Sequence, residues 1–227
     1  MCGRFTLTAD VAALQETFPW LNIPVEMTPR YNIAPTQPVA VVPNDGKNQL
    51  DFYTWGLIPS WAKDPLIGSR MINARAETLA EKPAFRAAFR RRRCLILADG
   101  FYEWQQAKGT SKIPMYIRLV SGEPFAFAGL WEIWNSSDGS TILSCAIITT
   151  QPNELMEKIH NRMPVILPPD AYPIWLDPDE QNPSRLSSLL HPYPADEMQA
   201  YAVSRFVNSP SNDSPQCILP AQDSAGS

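Results

Sequence analysis

At 227 residues the chain is long enough for one ordinary domain with a sizeable core. Its composition, 44% apolar, 10% aromatic and 19% charged, points away from a disordered, collagenous or membrane-spanning chain. The formal net charge of −4 argues against a polyanionic ligand until it is split: residues 1–110 carry 13 Lys and Arg against 10 Asp and Glu, residues 111–227 only 6 against 13. That asymmetry permits a local basic face without placing one. The start, Met1 to Phe5, lacks the apolar run of a secretory leader, so the expected compartment is the cytosol.

In chain order, Thr8 or Asp10 caps a predicted helix over about residues 8–18, with Val11, Leu14 and Phe18 at helical spacing and Pro19 as its stop. Five prolines between Ile23 and Pro43 predict a loop leading to a strand at Val39–Val42. A turn at Asn44-Asp45-Gly46 pairs that strand with Leu50–Leu57, and a loop over residues 58–65 follows. A short helix is expected after Pro83, with Phe85 and Phe89 one turn apart. The run Arg90–Arg93 ends it, either as a cationic last turn complementing the helix dipole or as a phosphate patch. Strands at Cys94–Ala98, Ile113–Leu119, Phe125–Trp134 and Ile142–Thr150, separated by glycine turns, predict an antiparallel meander. A helix at about 153–159, irregular helices over 170–190 and a closing strand near Tyr201–Val207 complete one α+β domain over 1–220, its sheets curled into a barrel-like core. Residues 221–227 read as a disordered tail.

The four cysteines, Cys2, Cys94, Cys145 and Cys217, are too scattered for a disulfide framework or a zinc site, and two histidines add little, so no metal or cofactor is expected. Cys94 and Cys145 lie in apolar runs and read as small buried hydrophobes; Cys217, in a Ser/Pro/Asn-rich stretch, reads as incidental. Cys2 differs. Removal of Met1 would put a thiol and an α-amine on one carbon frame, with ordinary pKa values of about 8.5 and about 7.7–8.0. Such a 1,2-aminothiol condenses with an aldehyde through nitrogen and then closes a five-membered thiazolidine through sulfur. With Met1 in place the amine is blocked. From position alone, Cys2 is equally a frayed terminal residue.

Six stretches carry a resemblance. Met1-Cys2-Gly3-Arg4-Phe5, Arg30 to Thr36, Trp55 to Pro59, Asn73 to Thr78, Asp99 to Trp104 and His160 to Pro164 resemble, in order, the motifs of the SOS response-associated peptidase (SRAP) family. The likeness runs from residue 2 to about Pro220. It implies a sensor of abasic sites in single-stranded DNA that forms a thiazolidine DNA-protein crosslink through the N-terminal cysteine and shields the lesion. It also implies self-removal of Met1.

The resemblance implies catalytic roles for Cys2, Asn73, Glu103 and His160. Glu103 stands among Phe101, Tyr102 and Trp104, where desolvation raises a carboxyl toward neutrality; strand alternation alone favours a surface carboxylate. His160 suits proton exchange with the sugar oxygen, or equally a helix C-terminus. Asn73 can orient the sugar or the amine without titrating, and is otherwise a turn residue. Arg4, Arg75 and Arg162 lie beside the catalytic motifs as candidate phosphate clamps, with Arg70 and Arg86 behind them. Pro35 and Trp61, in proline-rich loops, are candidates for stacking on bases beside the missing one, and Thr149 for a phosphate hydrogen bond. The partner is therefore single-stranded DNA containing abasic sites, bound by a monomer with no membrane contact, cytoplasmic or at the nucleoid. Two other readings use the same residues: an N-terminal-nucleophile amidase acting on peptides, and a noncatalytic single-strand-binding module.

Overall fold

Continuously buried apolar runs build the centre of the molecule, and the strands that carry them close on themselves. The computed structural model describes residues 2–23, 26–107, 109 and 112–221. Its strands are β1 (Phe5–Leu7), β2 (Arg30–Ile33), β3 (Pro38–Pro43), β4 (Asp51–Trp55), β5 (Asn73–Arg75), β6 (Arg93–Ala98), β7 (Gly100–Gln106), β8 (Lys112–Leu119), β9 (Phe125–Asn135), β10 (Thr141–Thr150), β11 (Met163–Pro164), β12 (Ile166–Leu167) and β13 (Met198–Ala202). The helices are α1 (Val11–Thr17), α2 (Arg86–Arg91), α3 (Tyr172–Leu176) and α4 (Pro183–Ser187).

β10, β4, β3, β6 and β9 pair in a ring that β9–β10 pairing closes into a barrel. Every residue of β6 is buried, because the barrel interior covers one face while α2 and α3 lie against the strand outside. The expected hairpin is present, with Val39 opposite Tyr53. Inside, Phe5 meets Trp55 and Phe127 edge-on at 5.1 and 5.7 Å. The second sheet, ordered β13-β8-β7-β1-β2, lies against the barrel through Phe5 and Phe101 of its inner face.

The α+β class and the barrel-like core agree with the sequence reading, and several details do not. The meander is interrupted: β6 pairs β9 rather than β8, and β10 runs parallel to both β4 and β5. β2 lies where loop was expected and pairs with β1, a three-residue strand in a stretch to which no element was assigned. The closing strand is displaced to Met198–Ala202 and is followed by a 3₁₀ turn over Arg205–Asn208. The helix at 153–159 contracts to turns around Met156–Lys158, whereas α1 forms with Asp10 as its N-cap, accepting from the Ala13 N–H at 2.9 Å. The tail beyond 221 lies outside the described residues, and Ala221 itself donates to the Ala202 carbonyl.

Cys217 is not incidental, since it is fully buried with Tyr102, Tyr116, Val203 and Val207 in a second cluster. That cluster seats the C-terminal segment on β7 and β8. Asn32 fastens it: the buried side-chain amide donates to the carbonyls of Val207, Ser209 and Asn212 at 3.1, 3.0 and 2.7 Å. Asp213 returns the tie, accepting from the Tyr31 and Asn32 backbone N–H groups and pairing with Arg30 Nε at 2.6 Å.

The arginine run divides. Arg93 is wholly buried and donates to the carbonyls of Phe89, Arg90, Trp175 and Asp177, thereby joining the end of α2 to α3. Arg92 pairs with Glu132 at 2.7 Å, and only Arg90 and Arg91 face solvent.

Candidate active site

The site forms at the start of β1 in the second sheet, beside β7 and beside β5, which pairs with the barrel strand β10. Cys2, just before β1, has no exposed surface in the chain that retains Met1. Its Sγ lies 3.7 Å from the Arg4 carbonyl, and Asn73 Nδ2 donates to the Cys2 carbonyl at 2.8 Å. Asn73 is held by the parallel pairing of β5 with Ile147 in β10, a contact across 74 positions that no local pattern announces. Its Oδ1 is buried with no hydrogen-bond donor among the described residues, an acceptor turned into the site beside Cys2.

Glu103, on β7, is 3% exposed, so the reading of it as a surface carboxylate is corrected. Its neighbours in the motif, Phe101 and Tyr102, are buried as well, and alternation fails because both faces of β7 are covered at this level. Burial raises the Glu103 carboxyl above its ordinary range, with the charge of His160 acting in the opposite direction. Burial likewise raises the Cys2 thiol, and the Glu103 carboxylate adds to the rise. Glu103 is therefore within electrostatic reach of both Cys2 and His160, and Asn73 touches Cys2 directly.

His160 follows the turn over Met156–Lys158, its N–H bonded to the Met156 carbonyl at 2.7 Å. Its Nδ1 accepts from the Arg162 backbone N–H at 3.1 Å, which in the neutral ring leaves the proton on Nε2. Arg162 in turn forks onto Glu77 with contacts of 2.5 and 2.9 Å and donates to the Thr149 carbonyl at 2.6 Å. Thr149 is fully buried at the end of β10, with Oγ1 3.4 Å from the same guanidinium. Its hydroxyl serves Arg162 in this state.

The remaining candidates fall into two groups. Arg75, Arg70 and Arg86 are exposed, the first two reached by the chain on either side of Asn73 and the third on α2. Arg4 is occupied: it donates to Asn32 Oδ1, to the Val207 carbonyl and to the Asn208 carbonyl at 2.7, 2.9 and 3.2 Å, and lies over the Trp104 ring. Its place is beside the C-terminal segment as much as beside Cys2.

Trp61 is 60% exposed on the loop between β4 and β5. Two glycines position that loop. A Cβ on Gly56 would stand 2.6 Å from the Gly68 carbonyl oxygen, and one on Gly68 equally close to that of Gly56, so only glycine lets the two ends cross. Pro35 is half-buried at a corner made by Thr36, whose φ of 72° is a left-handed conformation that a β-branched residue adopts only under constraint. The constraint is visible: Thr36 N–H bonds the Trp55 carbonyl at 2.8 Å, and Gln37 Oε1 accepts from Ala34 N–H and Arg30.

Sequence reasoning missed Glu77 and Asn32, although both lie in the motif stretches. Their partners, Arg162 and the carbonyls of 207–212, are 85 and at least 175 positions away, so no local signal marks them.

Comparison with known proteins agrees with the geometry. A family model described as SOS response associated peptidase matches residues 1–210. The abasic site processing protein YoqW of Bacillus subtilis (strain 168) is 53% identical over 224 residues, covering 96% of this chain and 99% of that protein. The abasic site processing protein HMCES of Rattus norvegicus is 31% identical over 271 residues, covering 97% of this chain and 76% of its own length. A crystal structure of a Bacteroides thetaiotaomicron protein superimposes with a TM-score of 0.87 at 27% identity, covering 97% of this chain and all of that one. The chain belongs to the SOS response associated peptidase family.

Proposed function

We propose that this protein senses abasic sites in single-stranded DNA and captures them covalently through Cys2 once Met1 has been removed. The observation that carries the reading is that buried Cys2 is hydrogen-bonded through its carbonyl to Asn73, with buried Glu103 in electrostatic reach of both Cys2 and His160. That its relatives are named abasic site processing proteins supports the choice of lesion.

The chemistry follows from what each group can do. The ring-opened sugar presents an aldehyde. The Cys2 α-amine adds to that carbon, the carbinolamine loses water, and the thiol sulfur adds to the imine carbon while its proton passes to nitrogen. One water leaves in all. A thiol raised by burial is a poor thiolate nucleophile, which favours amine-first condensation over the attack that an N-terminal cysteine amidase would need. A carboxyl raised by burial holds its proton to higher pH than an ordinary glutamate, which suits Glu103 to the role proposed for it, giving a proton to the departing hydroxyl. His160 exchanges a proton with the sugar as the ring opens, the ring oxygen gaining one while the C1′ hydroxyl loses one to form the aldehyde. Asn73 anchors the Cys2 carbonyl and offers its unpaired Oδ1 to the amine.

Removal of Met1 is hydrolysis of the Met1–Cys2 peptide bond: water adds to the Met1 carbonyl carbon, the C–N bond breaks and a proton goes to the Cys2 nitrogen. Glu103, within electrostatic reach of Cys2, is the group proposed to move the proton. Arg75 and Arg162 grip phosphates, with Arg4, Arg70, Arg86 and Thr149 in support, and Trp61 and Pro35 stack against bases flanking the gap. The protein acts as a monomer in the cytoplasm; among the described residues no helix is long and apolar enough to cross a membrane. The domain reading over 1–220 is retained as part of this proposal.

The test is a denaturing gel of protein whose free Cys2 terminus is verified by mass spectrometry, mixed with a single-stranded oligonucleotide carrying one abasic site. A heat-stable shifted band is expected with wild type and not with Cys2→Ala or with intact oligonucleotide. Absence of that band from the processed wild type defeats the covalent reading.

A further inference from the structure

Arg162 is the best-placed cation for a phosphate near His160, and its fork is already filled. Both terminal nitrogens hold the Glu77 carboxylate, with Oε1 and Oε2 at 2.5 and 2.9 Å, while the Thr149 carbonyl takes a further N–H from the protein side. The two partners differ in burial: the Arg162 side chain is 13% exposed and that of Glu77 43%. The guanidinium is therefore fixed from within and closed from without by a carboxylate that water reaches. Glu77 lies on the 3₁₀ turn Ala76–Thr78, immediately after the strand that carries Asn73 and the exposed Arg75. Arg162 first, through its hydrogen bonds, and Arg75 through its charge hold the Glu77 carboxyl below the usual range, although burial acts against them. Glu77 thus occupies a point attractive to any anion.

Carboxylate and phosphate present the same bidentate edge to a guanidinium. From the bidentate fork that Glu77 fills on Arg162, and from its exposure, we propose that its carboxylate stands in for a DNA phosphate. It keeps Arg162 extended in the free protein and must be displaced when a strand binds. In this role Glu77 restrains affinity for undamaged strands, since every strand has phosphates and only the abasic sugar adds a covalent bond. The Arg162 backbone N–H, which is separate from the fork, bonds His160 Nδ1, so that contact does not depend on whether Glu77 or phosphate fills the fork. The inference rests on the single-strand reading given above.

The sign of one substitution decides it. Glu77→Gln keeps size and hydrogen-bonding ability while removing the charge. The variant is expected to bind an intact single-stranded oligonucleotide about fivefold tighter at low salt, the upper range for an exposed ion pair. If the released fork gains one phosphate contact, the slope of log K against log salt steepens by about 0.7. Glu81→Gln, an exposed carboxylate four residues on, controls for net charge and is expected to leave that slope unchanged. In an Arg162→Gln background the Glu77 substitution should have no effect on affinity. Tighter binding confined to Glu77→Gln, and lost without Arg162, supports the inference. Equal or weaker binding by folded Glu77→Gln overturns it and makes the residue a strut for Arg162. An equal gain from Glu81→Gln also overturns it, because the effect is then net charge alone. The covalent reading fails separately, if processed wild type binds strands without crosslinking the abasic one; no single-strand binding by wild type defeats both.

Discussion

The barrel and the sheet laid against it are built by different means. The barrel strands are fastened by apolar burial, with Phe127 meeting Phe5, Phe101 and Phe125 edge-on and β6 covered on both faces. The second sheet is fastened by buried polar hubs. Asp99 accepts from Thr6 Oγ1 at 2.5 Å and from Thr8 Oγ1, Thr8 N–H and Ala9 N–H; Asn32 and Asp213 hold the C-terminal segment. Non-directional burial gives stiffness, whereas hydrogen-bonded hubs fix where particular backbone atoms stand. The candidate site draws on both, since Asn73 comes from a strand on the barrel and Cys2 and Glu103 from the hub-built sheet.

The largest expected effect breaks the barrel. Phe127→Ala should lower unfolding stability by about 3–5 kcal/mol, the usual cost of emptying an aromatic site in a packed core, and urea titration followed by tryptophan fluorescence measures it. Asn32→Ala should cost less, about 1–3 kcal/mol, because it strands buried carbonyls rather than opening a large cavity. Its effect should also be local, with amide exchange accelerating over residues 203–221 before the barrel strands respond. Uniform acceleration across both sheets would show that the two are one cooperative unit and that the distinction in construction has no energetic meaning.

How much of this was legible follows strand length more than sheet. The longer strands announce themselves by apolar runs and glycine turns, and the expected spans match β3, β4, β6, β8, β9 and β10 within a residue or two of their ends. It missed β1 and β2 because strands of three and four residues carry too little pattern, and Arg30–Ile33 lies among prolines. The strand β7 was visible only as the setting of Glu103. Cys2, Asn73, Glu103 and His160 came from family motifs; their own patterns allowed bland readings, and for Glu103 the bland reading was wrong because both faces of its strand are covered. Arg4 and Arg162 were recognisable as cations near the site, yet nothing local shows that Asn32 and Glu77 already hold them. Hubs join residues far apart in sequence, and a sequence displays the donor and the acceptor without displaying the pair.

A pH series sharpens the comparison at Glu103. Its folded-state carboxyl is raised by burial, so the contribution of this group to stability is fully present below the ordinary glutamate value of about 4.3 and is lost as pH rises through the raised value. Glu103→Gln removes the titration. Its melting temperature relative to wild type should therefore climb as pH rises above the ordinary glutamate value and level off once the raised value is passed. The same variant, on the proposed chemistry, should form crosslinks about 100-fold more slowly, the lower range for loss of a positioned proton donor. A relative melting temperature that stays flat with pH would mean that Glu103 is charged and compensated in the folded protein, and the proton-donor role would fall with it.

The smallest effect on the fold belongs to Trp61. With 60% of its surface exposed and its loop held by the Gly56–Gly68 crossing, Trp61→Ala should change stability by no more than about 0.5 kcal/mol. Its expected effect is on binding: loss of a stacking platform weakens a single strand by about 1–3 kcal/mol, measurable as fluorescence anisotropy of a labelled oligonucleotide. Gly56→Ala separates the ring from its placement, because it forces the loop ends apart through backbone contact while leaving the indole in the chain. If both substitutions weaken binding and only Gly56→Ala lowers the melting temperature, Trp61 acts as a base platform that the glycine crossing aims. If Trp61→Ala leaves binding untouched, the exposed indole is ordinary surface, and affinity for the strand rests on the arginines alone.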